Sequence, residues 1–159
     1  MKIGFIGTGH ITKSVINGIL GSQLKINKII ISRRSNKISA LLKKKSKKII
    51  ISNDNQEIIN KSDWVFLAVT PEVGHKILPK LKFRKKQTII SFISTIKMCD
   101  LKKYVKVNSK IVRAIPLPPI SIRKGPVPIF PSNKKVKQFF DHLGTTVEIN
   151  KENLSLNFW

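Results

Sequence analysis

Short apolar runs rich in isoleucine and valine recur along the chain, and segments with a helical spacing of apolar residues separate them. Most runs are continuous rather than alternating, which is typical of strands covered by helices on both faces of a sheet. The predicted strands cover residues 2–6, 28–32, 48–52, 63–68, 88–93, 110–115, 127–130 and 146–149.

Six helices are predicted between these strands, over residues 11–20, 37–44, 55–61, 72–81, 97–104 and 134–142. The alternation predicts an α/β fold with a doubly wound, mostly parallel sheet of about eight strands and helices on both faces. Residues 116–131 hold six of the eight prolines and predict an ordered loop with one short strand. We expect one domain over residues 1–150, followed by the start of a linker over residues 151–159.

A glycine-rich loop lies between the first predicted strand and the first predicted helix. Gly7 permits a tight turn, and Gly9 lets the backbone approach a pyrophosphate at the N-terminus of the helix. Thr12 stands where this Rossmann-type fingerprint has a third glycine or an alanine. The loop predicts a dinucleotide site, with an unliganded glycine-rich turn as the alternative. The residues expected to bind are Gly7, Thr8, Gly9, His10 and Ile11. A solvent-facing role is the alternative for His10.

The end of the second predicted strand indicates which dinucleotide is bound. An acidic residue here would bind the 2′-hydroxyl of an NAD ribose, but the sequence has Ser32, Arg33 and Arg34 and no carboxylate. Arginine forms forked, charge-assisted hydrogen bonds to phosphate, so these three residues predict binding of the NADP 2′-phosphate. A solvated basic turn is the alternative.

Several motifs together resemble the N-terminal NADP-binding domain of the pyrroline-5-carboxylate reductase family, which is related to the F420-dependent NADP oxidoreductases. They are the opening strand and loop at residues 1–9, the Asn-Gln-Glu segment at 55–57, the Val-Phe-Leu-Ala-Val run at 65–69, and the Arg–Pro–Pro–Gly loop at 113–125. The resemblance implies cofactor contacts from Asn55, Ala68, Val69 and Pro71, together with Thr70, which replaces the family's lysine in this turn. Ser94, at the carboxyl edge of the fifth predicted strand, is a further candidate, with helix capping as its alternative.

The resemblance also implies a function, which is NADPH-dependent hydride transfer to a small cyclic imine, as in proline biosynthesis. It implies a homodimer formed through a C-terminal helical domain, so we expect this chain alone to have little activity. No catalytic side chain is predicted, because the cofactor carries the hydride chemistry. The alternatives are an F420-dependent NADP reductase, or a non-catalytic module that binds dinucleotides or polyanions. Residues 116–119 read Pro-Leu-Pro-Pro where the family has Pro-Asn-Thr-Pro, which bears on the substrate.

The composition adds a strongly basic charge, with 31 Lys and Arg against 8 Asp and Glu and a net charge of +23. Because most of the basic residues are lysines, we interpret this as biased residue usage, and expect only non-specific binding to nucleic acid. Cys99, the single cysteine, is expected to be buried, and the scattered acidic residues predict no metal site. No apolar run is long enough for a transmembrane span, and we expect a cytoplasmic protein.

Overall fold

The computed structural model describes residues 1–153, and six residues of the predicted linker lie outside this range. Over these 153 residues, eight strands form one sheet in the order β3-β2-β1-β4-β5-β6-β7-β8. Their bounds are β1 Lys2–Ile6, β2 Lys28–Ser32, β3 Ile49–Ser52, β4 Trp64–Leu67, β5 Thr88–Ser91, β6 Lys110–Ala114, β7 Pro126–Phe130 and β8 Thr145–Glu148. The predicted strands are therefore all present, and their ends differ from the prediction by at most two residues.

In the described part of the chain, six α-helices connect the strands: α1 His10–Leu20, α2 Asn36–Lys45, α3 Asn55–Lys61, α4 Pro71–Ile77, α5 Met98–Val105 and α6 Lys134–Asp141. Side chains at the first turns explain where several of them begin. The Ser35 hydroxyl accepts a hydrogen bond from the Ile38 amide, and the Asp54 carboxylate accepts one from the Gln56 amide. Pro71 occupies the first turn of α4, where its missing N–H is not needed.

The sheet is parallel except at the pair of β6 and β7, which is antiparallel. The strand order reverses between β1 and β4, because the chain leaves β1 toward β2 and β3 and then returns to β4 on the other side. In open α/β sheets of this kind, ligands bind at the carboxyl ends of the strands beside such a reversal. The topology therefore predicts a ligand site at the loops after β1 and β4.

Apolar side chains fill two clusters, one on each face of the sheet, as the continuous strand runs predict. On one face Phe5 and Phe66 stack with their ring centroids 4.5 Å apart, and Val136, Phe139, Phe140 and Leu143 are buried in the same cluster. The predicted doubly wound α/β fold is confirmed. Within residues 1–153, no helix combines the length and apolar character that crossing a membrane requires.

Two local expectations are wrong. The helix predicted over residues 72–81 ends at Ile77 and continues as a short 3-10 helix, Leu78–Lys80, because Pro79 has no N–H to donate. Cys99 is exposed rather than buried. The buried positions of α5 are Met98, Leu101 and Val105, so Cys99 lies on the opposite side of the helix from the core.

Candidate functional site

The turn after β1 lies directly against the turn after β4. Gly7 has a φ of +99°, a left-handed conformation that favours glycine. A Cβ atom at this position would lie only 2.2 Å from the carbonyl oxygen of Ala68. Only glycine therefore allows both the turn and the close approach of the two loops.

Three hydroxyl groups hold this turn in place. The Thr8 hydroxyl donates to the Ser32 carbonyl oxygen at 2.5 Å, and the Gly7 amide donates to the Ser32 hydroxyl at 3.0 Å. The Thr12 hydroxyl donates to the Gly7 carbonyl oxygen at 2.8 Å, and Thr12 is fully buried. The residue that replaces the third glycine of the fingerprint thus stabilises the loop. Ser32 connects the loop to β2 and also lines the adjacent groove.

Gly9 leaves open space where the chain enters α1. A Cβ atom at Gly9 would meet no heavy atom within 4 Å. Gly9 is the N-cap residue of α1 and provides no side-chain cap, and the first turn of the helix has no acidic residue. Amide groups at such a helix end bind anions, since they combine free donors with the positive end of the helix dipole. The loop therefore has the shape and the charge that a pyrophosphate needs.

A groove extends from this loop toward β2 and β3. It consists of two adjoining cavities of about 450 Å³ and 250 Å³, which share Gly7, Arg34 and Val69. The predicted site residues that line it are Gly7, Thr8, Gly9, Ser32, Arg33, Arg34, Asn55, Ala68, Val69 and Thr70. Both arginines are exposed, and none of the residues lining either cavity is acidic. The groove can therefore accept a long ligand with negative charge at the loop and at the arginines.

Four predicted residues lie elsewhere. His10 and Ile11 line a separate cavity of about 690 Å³, between α1 and the proline-rich loop that contains Pro116. Pro71 is the first residue of α4, and neither Pro71 nor Ser94 lines either cavity of the groove. The capping alternative for Ser94 is wrong, since Lys97 is the N-cap residue of α5 and no side chain caps it.

Seven further residues line the groove that the sequence pattern does not predict: Ile6, Ser35, Asn36, Ser52, Asn53, Val73 and Ile77. Ser35 and Asn36 follow the two arginines directly, and this position in the same loop is the signal that could have predicted them. Asn53 precedes the Asp54 cap of α3. Val73 gave no such signal, because its position in the groove depends on how α4 packs.

A buried ion pair lies two strands away from β4, at the end of β6. Arg113, at the end of β6, is 2% exposed and forms a 2.9 Å ion pair with Glu152. The guanidinium also donates to the Ser94 carbonyl oxygen, while the Glu152 carboxylate accepts a hydrogen bond from the Met98 amide at 2.6 Å. Arg113 and Glu152 thus join β6, the loop after β5 and the start of α5.

A metal centre has no ligand set among residues 1–153, because no three His, Cys, Asp or Glu side chains there come together. Glu57 instead forms ordinary polar contacts. Hydrogen bonds, first from Lys61 and then from Ser52, hold the pKa of the Glu57 carboxyl below its usual value. Glu57 remains a carboxylate and contributes no acid to the groove.

Known proteins share both this fold and this sequence pattern. Pyrroline-5-carboxylate reductase 3 of Danio rerio is 29% identical over 128 residues, which cover 79% of this chain and 44% of that protein. A pyrroline-5-carboxylate reductase structure from Coxiella burnetii has a TM-score of 0.82 at 24% identity, covering 96% of this chain and 60% of that one. A Plasmodium falciparum pyrroline carboxylate reductase with NADP bound has a TM-score of 0.77 at 23% identity, covering 96% and 58%.

The chain spans about half the length of the curated relatives it matches. A family model described as "NADP oxidoreductase coenzyme F420-dependent" matches residues 2–95, which is more than half of the chain and includes the loop, the two arginines and the turn after β4. On this match, the chain belongs to the family of coenzyme F420-dependent NADP oxidoreductases.

Proposed function

We propose that the groove binds NADP(H), with the pyrophosphate at Gly7–Gly9 and the adenosine 2′-phosphate at Arg33 and Arg34. The observation that carries this proposal is the pair of exposed arginines in a groove whose lining residues include no carboxylate. A carboxylate there would repel a 2′-phosphate, whereas guanidinium groups bind it with charge-assisted hydrogen bonds. The open space at Gly9 supports the same ligand, because a pyrophosphate needs close access to the backbone.

The same proposal includes the reaction, which is NADPH-dependent reduction of a small cyclic imine of the pyrroline-5-carboxylate type, as in proline biosynthesis. The names of the relatives support this substrate class. The bound cofactor supplies the hydride. The residues of this chain then hold the dinucleotide: the loop at its pyrophosphate, the arginines at its 2′-phosphate, and the turn at Ala68 and Val69 along its length.

A complete enzyme in this proposal is a cytoplasmic homodimer in which a C-terminal helical domain provides the dimer contacts and the rest of the substrate site. The length of the relatives supports it, since each of the first three is about twice as long as the segment matched. The 159-residue chain alone then binds the cofactor but turns over little substrate.

Coenzyme F420 is a second candidate for the hydride partner, because the family description names it. The two candidates differ in a direct assay in which the chain is supplied with NADPH and F420. A fall in F420 absorbance favours the second candidate, and an unchanged spectrum with active imine reduction in the complete enzyme favours the first.

The cofactor proposal is tested by thermal unfolding with NADPH and NADH at the same moderate salt concentration. Ligand at a hundred times its Kd should stabilise the chain by about 2.7 kcal/mol, or several degrees in Tm. The double variant that carries Arg33→Ala and Arg34→Ala should bind NADPH about tenfold to a hundredfold more weakly and bind NADH almost as the wild-type chain does.

A matched control removes the same charge elsewhere. Lys134 and Lys135 are exposed at the start of α6, far from the groove, so Lys134→Ala with Lys135→Ala should leave the NADPH response as it is. Equal losses for NADPH and NADH in the arginine variant would contradict the 2′-phosphate assignment. An equal loss in the lysine control would show that only net charge matters.

A further inference from the structure

The positive charge is unevenly distributed between the first third of the chain and the rest. Residues 1–53 contain 12 Lys and Arg and no Asp or Glu, whereas residues 54–159 contain 19 basic and all 8 acidic residues. Overall lysine usage would raise the basic count everywhere, but it does not explain why the first 53 residues lack every acidic residue.

The fold concentrates this charge along α2, at the β3 edge of the sheet. Eight basic residues, all exposed, form what we name the basic strip: Arg33, Arg34, Lys37, Lys43, Lys44, Lys45, Lys47 and Lys48. They lie before, within and after a helix of ten residues, which is about 15 Å long. Arg33 and Arg34 mark its start at the groove, and Lys47 and Lys48 mark its end beside β3.

The carboxylates that accompany lysines on other helices are absent from this one. Glu57 pairs with Lys61 on α3, Glu72 pairs with Lys76 on α4, and Asp141 pairs with Lys137 on α6. Within residues 33–48 there is no acidic residue at all. Two strip lysines instead contact neutral groups: Lys43 donates to the Ile49 carbonyl oxygen, and Lys45 donates to the Asn17 side chain. Within residues 1–153, no ion pair joins the strip to a carboxylate, so its positive charge stays uncompensated there.

We propose that the basic strip binds the sugar–phosphate backbone of single-stranded nucleic acid, without sequence preference. A row of exposed cations matches closely spaced phosphates, and lysine supplies charge without reading bases. Leu41 is 39% exposed and precedes Lys44 and Lys45 by three and four residues, so it lies on their side of the helix. It offers an apolar contact to an unpaired base, which a duplex would not expose.

The strip begins with the two arginines to which the proposed function assigns the 2′-phosphate. Nucleic acid that occupies the whole strip therefore competes with NADPH, and this part of the inference rests on the proposed function. The binding surface itself does not, because Lys44, Lys47 and Lys48 lie outside the groove.

The test uses the full 159-residue chain and a fluorescent dodecathymidylate, with binding followed by anisotropy at several salt concentrations. The strip variant carries Lys44→Gln, Lys47→Gln and Lys48→Gln, whose side chains form no hydrogen bond or ion pair within the described range 1–153. The control variant carries Lys124→Gln, Lys134→Gln and Lys135→Gln, also exposed, near the β7–β8 end of the sheet. Seven strand spacings separate β3 from β8, or about 34 Å.

We expect wild-type binding to weaken steeply with salt, and the strip variant to lose about two units of the log–log salt slope together with about tenfold or more in affinity at low salt. The control variant should keep both values, and similar Tm values should show that both variants are folded. Equal losses in the two variants, or no binding by the wild-type chain, would overturn the proposal. Binding to anionic lipid vesicles without binding to the oligonucleotide would also overturn it.

A competition experiment separates this inference from the proposed function. If NADPH displaces the oligonucleotide, the oligonucleotide occupies the strip as far as Arg33 and Arg34. If both ligands bind at the same time, the oligonucleotide does not occupy the two arginines, and that part of the proposal is overturned. If NADPH produces no thermal shift at all, the proposed function fails. The oligonucleotide affinities of the strip and control variants still show whether the basic strip binds nucleic acid.

Discussion

Two regions along the carboxyl edge of the sheet, one after β1 and β4 and one at β6, are built from different interactions. Between β1 and β4, glycines and neutral hydroxyl groups shape a loop whose neighbouring cations are exposed. At the end of β6, a buried guanidinium is paired with Glu152 and joins three segments of the chain. A site for an anion needs open backbone and uncompensated charge, whereas a packed junction needs its buried charge neutralised.

The largest effect is expected at the glycine turn. In Gly7→Ala the positive φ alone costs about 1–3 kcal/mol, and contact with the Ala68 carbonyl oxygen adds to it, so the total should exceed about 3 kcal/mol. Gly9→Ala is the matched control, because a Cβ there meets nothing and Gly9 has an ordinary φ of −103°. It should keep nearly normal stability in urea unfolding and lose NADPH binding. Normal NADPH binding by Gly9→Ala would contradict the proposed pyrophosphate position.

Removing Glu152 tests the second region, the buried ion pair at the end of β6. Glu152→Ala leaves the Arg113 charge buried without its carboxylate, and should destabilise the chain by about 3 kcal/mol, or about 6–12 °C in Tm. Glu148→Ala is the control on the same terminal stretch, since Glu148 is exposed and its carboxylate accepts a hydrogen bond from the Ser132 hydroxyl without neutralising a buried charge. Equal and small losses in both variants would mean that the ion pair does not stabilise this junction.

Thr12→Val sharpens the description of the loop. It removes the hydroxyl that donates to the Gly7 carbonyl oxygen and keeps the shape of the side chain, so a loss of about 1 kcal/mol is expected. Thr12→Ser retains the donor but removes a buried methyl group, which costs about 1 kcal/mol by itself. A Thr12→Val variant as stable as the wild-type chain would show that the hydrogen bond contributes nothing to stability.

An exposed ion pair should have the smallest effect and provides a reference for the buried one. Burial raises the pKa of the Asp141 carboxyl. Hydrogen bonds from Lys137 and Thr146 together lower this pKa by more than burial raises it, so the folded-state pKa lies below the usual value. A lowered folded-state pKa contributes stability above the unfolded pKa near 4, and this contribution is lost as pH falls through the folded value. Both side chains are about 40% exposed, so Asp141→Asn should cost less than about 1 kcal/mol at pH 7. The unfolding free energies of the wild-type chain and the Asp141→Asn variant, measured from pH 7 to pH 2, should become equal at the acid end of this range.

Much of the fold follows from local features of the sequence. Continuous isoleucine and valine runs predict the eight strands, and helical spacing predicts six helices whose first residues lie within one position of those observed. The glycine loop and the two arginines predict most of the groove, because each follows a strand whose carboxyl end must lie at the same edge of a parallel sheet.

Other features were decided only by the tertiary structure. The ion pair of Arg113 and Glu152 joins residues 39 positions apart, and the Ser32 hydroxyl contacts a loop that lies 25 positions earlier. The exposure of Cys99 depends on which side of α5 packs against the core, and the antiparallel pairing of β7 depends on the path of the proline-rich loop. Periodicity, caps and turn residues act over a few positions and therefore determine the elements. Contacts between distant segments depend on how those elements pack, and packing determines which charges are buried in pairs and which remain exposed to bind a ligand.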